Sequence, residues 1–274
     1  MTMFSHFLVT RFNLRVDTWE TSKGGAKVLT DEWYEERFRL FETYCFPSVK
    51  NQADQDFVWC IYFDTMTTSH YRNKIEQITA SYPVIRLFFI DGIKDLQVAF
   101  QSYIRSAAQH DNQFVITSRL DNDDLLHTDF IKHIKHLFQP IHQTVIDIRT
   151  GYQLCIEKEH AEIRFLMNRF NPFVSLIEEV SKAETVLSRM HREWEAVDNV
   201  IVVDYKRLWI ELIHQSNKLN EVNRHHKKLC LRLLADYGLT NNILKFESTG
   251  QIFLFNLGLR INSFFGRIKA RFNV

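Results

Sequence analysis

The chain has 274 residues, 45% apolar and 24% charged, with a formal net charge of +1. That composition is globular and long enough for a full core, which excludes disordered and fibrous classes. A charge this close to zero also excludes binding nucleic acid through the field of the whole chain.

The elements follow in chain order. His6–Phe12 reads as a first buried strand. Asp31 is placed to cap a helix over Glu32–Phe46, where Trp33, Phe38, Phe41 and Tyr44 recur near helical spacing. Asp56–Asp64 is a second strand and Ser69–Tyr82 a second helix. Val84–Asp91 is a third strand and Leu96–His110 a third helix. Phe114–Leu120 is a fourth strand, His127–Phe138 a helix, and Thr144–Ile156 strand and hairpin material. Strands alternating with helices predict parallel β-α units. Asp64, Asp91 and Asp121 end three of the strands, where open α/β sheets bind ligands.

After about residue 157 the pattern changes. Ala183–Val197 reads as a helix, Asn199–Tyr205 as a short strand, and Arg207–Gly238 as a polar helix with a basic cluster at His225–Lys228. In the final stretch Phe253, Leu257, Ile261, Phe264, Phe265, Ile268 and Phe272 share one helical face. Asn256, Arg260, Ser263, Arg267 and Arg271 share the other. A terminal helix that is apolar on one side and basic on the other suits an anionic membrane surface, so residues 252–272 are expected to make peripheral membrane contact. No C-x-x-C pair occurs among Cys45, Cys60, Cys155 and Cys230, and their spacing matches no zinc pattern. With no secretory signal and no spanning apolar run, a cytoplasmic protein is expected, peripheral at the inner face of the membrane if the terminal helix binds there.

Asp121, Asp123 and Asp124 stand within four residues after the fourth strand. Adjacent carboxylates repel, so something cationic must neutralise them. Mg²⁺ or Mn²⁺ prefers such oxygens and shares them with phosphates and water. An EF-hand loop from Asp121 fails, since Leu126 and Lys132 stand where Gly and Glu are needed. A D-x-D-x-T phosphatase fails at Leu125. A solvated acidic loop remains as the plain alternative.

Three segments carry a resemblance. "LVTRFN" resembles the opening strand and loop of family 2-like glycosyltransferases. "FPSVKNQADQDFVWCIYFDTMTT" resembles their next segment, with Ser48, Gln52, Phe57 and Asp64 in step. "TSRLDNDDLL" resembles their metal-binding strand end. "TRFN", "ERFRLFETYCFPSVKNQ", "DFVW", "TSRLDNDD", "NPF-SL-E" (ending at Glu178) and "WIELIHQSN" together are similar to a bacterial family of rhamnosyl transferases, over about residues 6–220. The resemblance implies an α/β, GT-A-like (Rossmann-like) fold with a mainly helical C-terminal extension. Residues 1–215 would form the transferase domain, its donor half about 1–126 and its acceptor half about 127–215. Residues 216–274 would form the extension.

The resemblance also implies transfer of a sugar from a nucleoside-diphosphate donor to a glycan or lipid-linked acceptor, assisted by Mn²⁺ or Mg²⁺. A binding-only relative on the same scaffold is the alternative. Thr10, Arg11, Asn13 and Asp64 fall on the donor pocket, with Arg119 and Asp121 beside them. Asp121, Asp123, Asp124 and a late histidine, His214, fall on the metal site, with His191 as second choice. Glu178 and Glu179 fall on the acceptor side as candidate general bases, with Glu195 behind them. Trp209 is either a sugar platform or core. Two departures stand out: D-D-G-S is "DTMT" here, and the Q-x-x-R-W motif of processive synthases is absent.

Overall fold

A computed structural model describes residues 4–16, 28–108, 112–157, 160–214, 222, 226–229, 234–240 and 244–272, the stretch 262–272 as backbone. Four parallel strands form one half: β1 (Phe4–Arg11), β2 (Val58–Asp64), β3 (Ile85–Ile90) and β4 (Phe114–Arg119), in the order β4-β1-β2-β3. Their near-continuous apolar runs follow from burial on both faces. Successive side chains alternate between two cores, as strand geometry requires. Leu8, Trp59, Ile61 and Phe63 join one, and Phe7, Val9, Cys60 and Tyr62 the other. α1 (Asp31–Leu40) and α3 (Ser69–Thr79) cover the first face through Phe38, Tyr71 and Ile75. α4 (Leu96–Ala107) covers the second through Leu96, Phe100 and Ile104.

Thr30, not Asp31, caps α1, its side chain accepting from the Trp33 N–H at 3.3 Å. α1 runs into a π-helical turn, Phe41–Cys45, and then α2 (Phe46–Lys50). Pro47 has no N–H for the Thr43 carbonyl, so the regular ladder cannot continue there.

The second half is antiparallel and mixed. After β5 (Leu125–Leu126) and α5 (Phe130–His136) comes the long β6 (Thr144–Glu157), hairpinned to β7 (His160–Met167). β8 (Ser175–Glu179) fits between β4 and β6, antiparallel to both. β9 (Val200–Ile213) runs parallel to β6 and pairs antiparallel with β5. The mixed sheet keeps the parallel β-α half expected of an α/β fold.

The later elements differ from the reading of the sequence. Over Ala183–Val197 the chain forms only a 3-10 turn at His191–Ala196. Arg207–Ile213 is strand, because its apolar residues are buried as part of β9 rather than along a helical stripe. The remainder of that expected helix falls largely outside the described residues. The end of the chain is not simply helical either. β10 (Lys228–Leu229) and β11 (Lys245–Phe246) both pair with β7, and α6 (Thr249–Phe272) follows.

Gly151 on β6 is required by packing. A Cβ there would lie 2.2 Å from the Trp209 ring. Trp209 is 1% exposed, stacks on Phe173 at 4.8 Å, and donates its indole N–H to the Ile148 carbonyl at 2.8 Å. It is core, not a sugar platform.

Candidate functional site

The adjacent strands β1 and β4 end in arginines. Arg11 follows Thr10 at the end of β1, and Arg119 closes β4. The Leu120 N–H donates to the Val9 carbonyl at 3.0 Å, which keeps the two chains paired past the end of β4. Both guanidiniums converge on Asp121, Arg119 at 3.2 Å and Arg11 at 3.5 Å. They border a cavity of about 210 Å³ that Lys94, Gln97 and Arg189 also line. Leu96, the first residue of α4, lines it too, so the positive end of that helix lies at the cavity. Burial pushes the Asp121 carboxyl up, but Arg119 and Arg11 outweigh it and hold it below the ordinary value.

The next three residues turn sharply, with the Asp124 N–H donating to the Asp121 carbonyl at 3.2 Å. The turn sends the three carboxylates to different partners. Asp123 receives Arg37 Nη1 at 2.6 Å and His214 Nε2 at 2.9 Å on the same oxygen. Burial would raise its pKa, but Arg37 and His214 outweigh it and hold Asp123 well below the usual carboxylate range. Asp124 instead accepts the Leu212 N–H at 2.9 Å, pinning the turn to β9. Burial and the charges of Asp123, Asp121 and Glu211 push its pKa well up. Asp124 is a buried structural acid.

The first-loop residues are scaffold. Thr10 is fully buried and its hydroxyl accepts from the Trp59 indole at 2.9 Å. Asn13 is buried, donates to Tyr34 at 2.7 Å and Thr67 at 2.8 Å, and accepts from the Asp64 N–H at 3.2 Å. Asp64 is 1% exposed and taken up by the Arg15 Nε at 2.9 Å and the Met66 N–H at 2.9 Å. Arg15 also reaches Asp91, so one arginine serves two strand-end acids. Ser48 and Gln52 brace the aspartate loop from α2. The Ser48 hydroxyl accepts from the Leu126 N–H at 3.1 Å, and the Gln52 amide donates to the His127 carbonyl at 2.8 Å.

Glu178 and Glu179 are not brought to this end. β8 is antiparallel to β4, with Glu178 opposite Val115 and Glu179 opposite Phe114. Six residues separate Val115 from Asp121, about 20 Å along an extended chain. Both Glu178 oxygens are occupied, by the N–H groups of Glu184 and Thr185 at 2.9 Å each. Burial raises its pKa against the pull of those two bonds. Glu179 pairs with Lys182 at 2.8 Å on the surface. The expected base is therefore revised: these side chains hold the Glu178–Thr185 turn.

Arg37, Arg15, Lys94 and Arg189 are the cations that sequence reading missed. Arg37 lay inside the quoted "ERFRLFETYCF", and only the unbalanced charge of the triplet could have called for it. Of the four metal ligands expected, Asp123 and His214 are together. Asp121 and Asp124 are turned elsewhere, and among the described residues no group of three or more His, Cys, Asp or Glu is placed to hold a metal ion. One carboxylate, with His214 beside it, is the set that Mn²⁺ or Mg²⁺ would have here, the rest of its shell coming from phosphate oxygens and water. The Arg37 cation that shares the same Asp123 oxygen would have to give way.

Residues 2–226 match the family described as "Putative rhamnosyl transferase". No curated protein matches the chain. Among solved structures it is similar to S. aureus TarS 1–349 in complex with UDP-GlcNAc, at 13% identity over 81% of this chain and 62% of that chain, TM-score 0.44. The same TarS region in complex with UDP gives 11% identity over 76% and 60%, TM-score 0.42. Mouse xyloside xylosyltransferase 1, in its apo form, gives 11% over 53% of each chain, TM-score 0.30. The chain thus spans less than two thirds of the length of these proteins.

Proposed function

The chain belongs to that family of glycosyltransferases, the rhamnosyl transferases of its description, and from this membership we propose that it moves rhamnose from a nucleoside-diphosphate donor to a hydroxyl of a glycan or lipid-linked acceptor. The observation that carries the reading is the cavity where Arg11 and Arg119 flank Asp121 at adjacent strand ends. Guanidinium groups match phosphate oxygens in a bidentate way, and a helix N-terminus favours the same charge. Arg11, Arg119, Lys94 and Arg189 would receive the diphosphate, and Asp121 would accept from a donor hydroxyl. As the bond from the sugar to the diphosphate breaks, negative charge grows on the leaving group. Pre-placed cations stabilise it without reorganising. Asp123 and His214 would be the residues to hold Mn²⁺ or Mg²⁺, which would supply further positive charge to the site.

The test is donor binding and turnover with a panel of nucleoside-diphosphate sugars, with and without Mn²⁺. Arg119→Met is expected to weaken nucleoside-diphosphate binding roughly 10- to 100-fold, the loss of one charge-assisted contact. The reading is refuted if the wild-type protein neither binds nor turns over any donor, or if Arg119→Met binds as the wild type does.

The membrane reading stands on α6. Ile252 packs inward, while Phe253, Leu254, Leu257 and Ile261 are exposed. After Glu247 the sequence has four basic residues, Arg260, Arg267, Lys269 and Arg271, and no acidic one. Among the described residues no helix is long and apolar enough to cross a membrane. An apolar face with basic company lies on an anionic bilayer instead, where a lipid-linked acceptor would be met. Phe253→Glu with Leu257→Glu should abolish sedimentation with phosphatidylglycerol vesicles. Unchanged sedimentation would defeat this reading.

A further inference from the structure

We propose that His191 is the general base of the transfer, taking the acceptor hydroxyl's proton at Nε2. This rests on the sugar-transfer reading above. Three neighbours in its loop, Leu187, Arg189 and Met190, line the cavity that Arg119 and Asp121 border. The ring is held by one hydrogen bond, from Nδ1 to the Phe170 carbonyl at 2.7 Å. A carbonyl can only accept, so Nδ1 carries the hydrogen. In the neutral ring the lone pair then lies on Nε2, which makes no hydrogen bond among the described residues. That is the tautomer a general base needs.

The carbonyl that sets it is itself fixed. The Phe170 N–H donates to buried Asp147 at 2.9 Å, and Arg149 holds the other Asp147 oxygen at 2.8 Å. Phe170 sits at φ 45°, a conformation a bulky residue keeps only where its surroundings enforce it. Its ring shares a core cluster with Trp194, which anchors the turn that begins at His191. Both ends of the histidine's support are thus packed.

Electrostatics agree with the geometry. Burial lowers the imidazole's pKa below 6.5, and Arg119 and Arg192 lower it further, against the Phe170 hydrogen bond and Asp121, which raise it. The ring is neutral at pH 7 and able to accept. Three nearby or expected acids are otherwise engaged. Asp121 has two guanidiniums, Glu178 has two backbone N–H groups, and Glu195 pairs with Arg169 at 3.3 Å on the surface.

In the step, the acceptor oxygen bonds to C1 of the sugar and its proton passes to His191 Nε2. The bond from C1 to the diphosphate oxygen breaks, and its electron pair leaves on the nucleoside diphosphate. A single displacement of this kind inverts the configuration at C1.

The test uses the full chain, with nucleoside-diphosphate rhamnose and UDP-GlcNAc as donors and water as acceptor, so no acceptor need be known. His191→Ala should lower kcat about 10²- to 10⁴-fold. Nucleoside-diphosphate binding should stay within about twofold, as the donor cations are untouched. Added imidazole should restore part of the rate. The wild-type rate should fall on an acid limb below pH 6.5 that the variant lacks. A merely structural histidine would give neither the rescue nor the loss of the limb. The proposal is overturned if His191→Ala turns over donor within about threefold of wild type, or if it is slow, unrescued and keeps the limb. If the wild-type protein turns over no donor, the sugar-transfer reading falls first and takes this one with it.

Discussion

Any pH profile of this protein below neutrality will contain a stability term from another histidine, His6. It lies on β1, 2% exposed, with Nε2 2.8 Å from the Ser118 hydroxyl, which in turn meets Ser175 at 2.6 Å. Its Nδ1 is buried without a partner among the described residues. Burial, joined by the charge of Lys135, lowers its pKa to about 3. The unfolded chain binds a proton on this ring below about pH 6.5, and the folded protein does not. Stability is therefore full above 6.5 and falls as the pH drops from 6.5 towards 3, at up to about 1.4 kcal/mol per pH unit. At pH 5 the loss is about 2 kcal/mol, worth roughly 4–8 °C in a domain of this size. His6→Gln removes the titration and keeps a polar contact for Ser118. The assay is urea denaturation of both proteins at pH 7, 6 and 5. The wild-type midpoint should fall relative to that of the variant across this range. Parallel losses would refute the reasoning, since they would assign the acid sensitivity to other groups.

The remaining predictions concern the site and its scaffold. Gly151→Ala should destabilise by about 1–3 kcal/mol in the same denaturation assay, because the added methyl must displace a fully packed Trp209; a neutral result would mean that the ring moves freely. His214→Ala should remove any thermal stabilisation by Mn²⁺ with a nucleoside diphosphate, and a preserved shift would place the ion elsewhere. Glu178→Gln should leave kcat within about threefold while lowering thermal stability, because the Glu184 and Thr185 N–H groups lose a charged acceptor; a collapse of kcat in a folded variant would return the base to Glu178.

How much of this was legible depends on the range of the signal. β1 to β4 were readable because a strand buried on both faces writes an unbroken apolar run, and α3 and α4 because their buried residues recur at helical spacing. The aspartate turn was readable because repulsion between adjacent carboxylates demands an explanation. The first half of β9 was read as a strand, but its second half was misread as helix because Leu208, Trp209, Ile210 and Leu212 are all buried by neighbours distant in sequence, including Gly151 and Asp124, and no local period reports that. The partners of the triplet were out of reach for the same reason. Arg37 and His214 lie 86 and 91 residues from Asp123. Glu178 was chosen for its place in a resembling segment, which cannot tell which end of an antiparallel strand a residue occupies.

The triplet also bears on how the cavity would receive the diphosphate of the proposed donor. Three adjacent carboxylates would repel such a ligand if all three faced it. Here Asp124 is turned inward to a backbone N–H with its pKa raised, and Asp123 is matched by Arg37 and His214. Only Asp121 faces the cavity, against Arg11, Lys94, Arg119 and Arg189. A chain whose overall charge is +1 thus lines one cavity at a helix N-terminus with four basic side chains and one carboxylate, Lys94 also reaching Asp91 at 3.3 Å. That local excess would stabilise the charge growing on the diphosphate in the proposed transfer, and the composition of the whole chain conceals it.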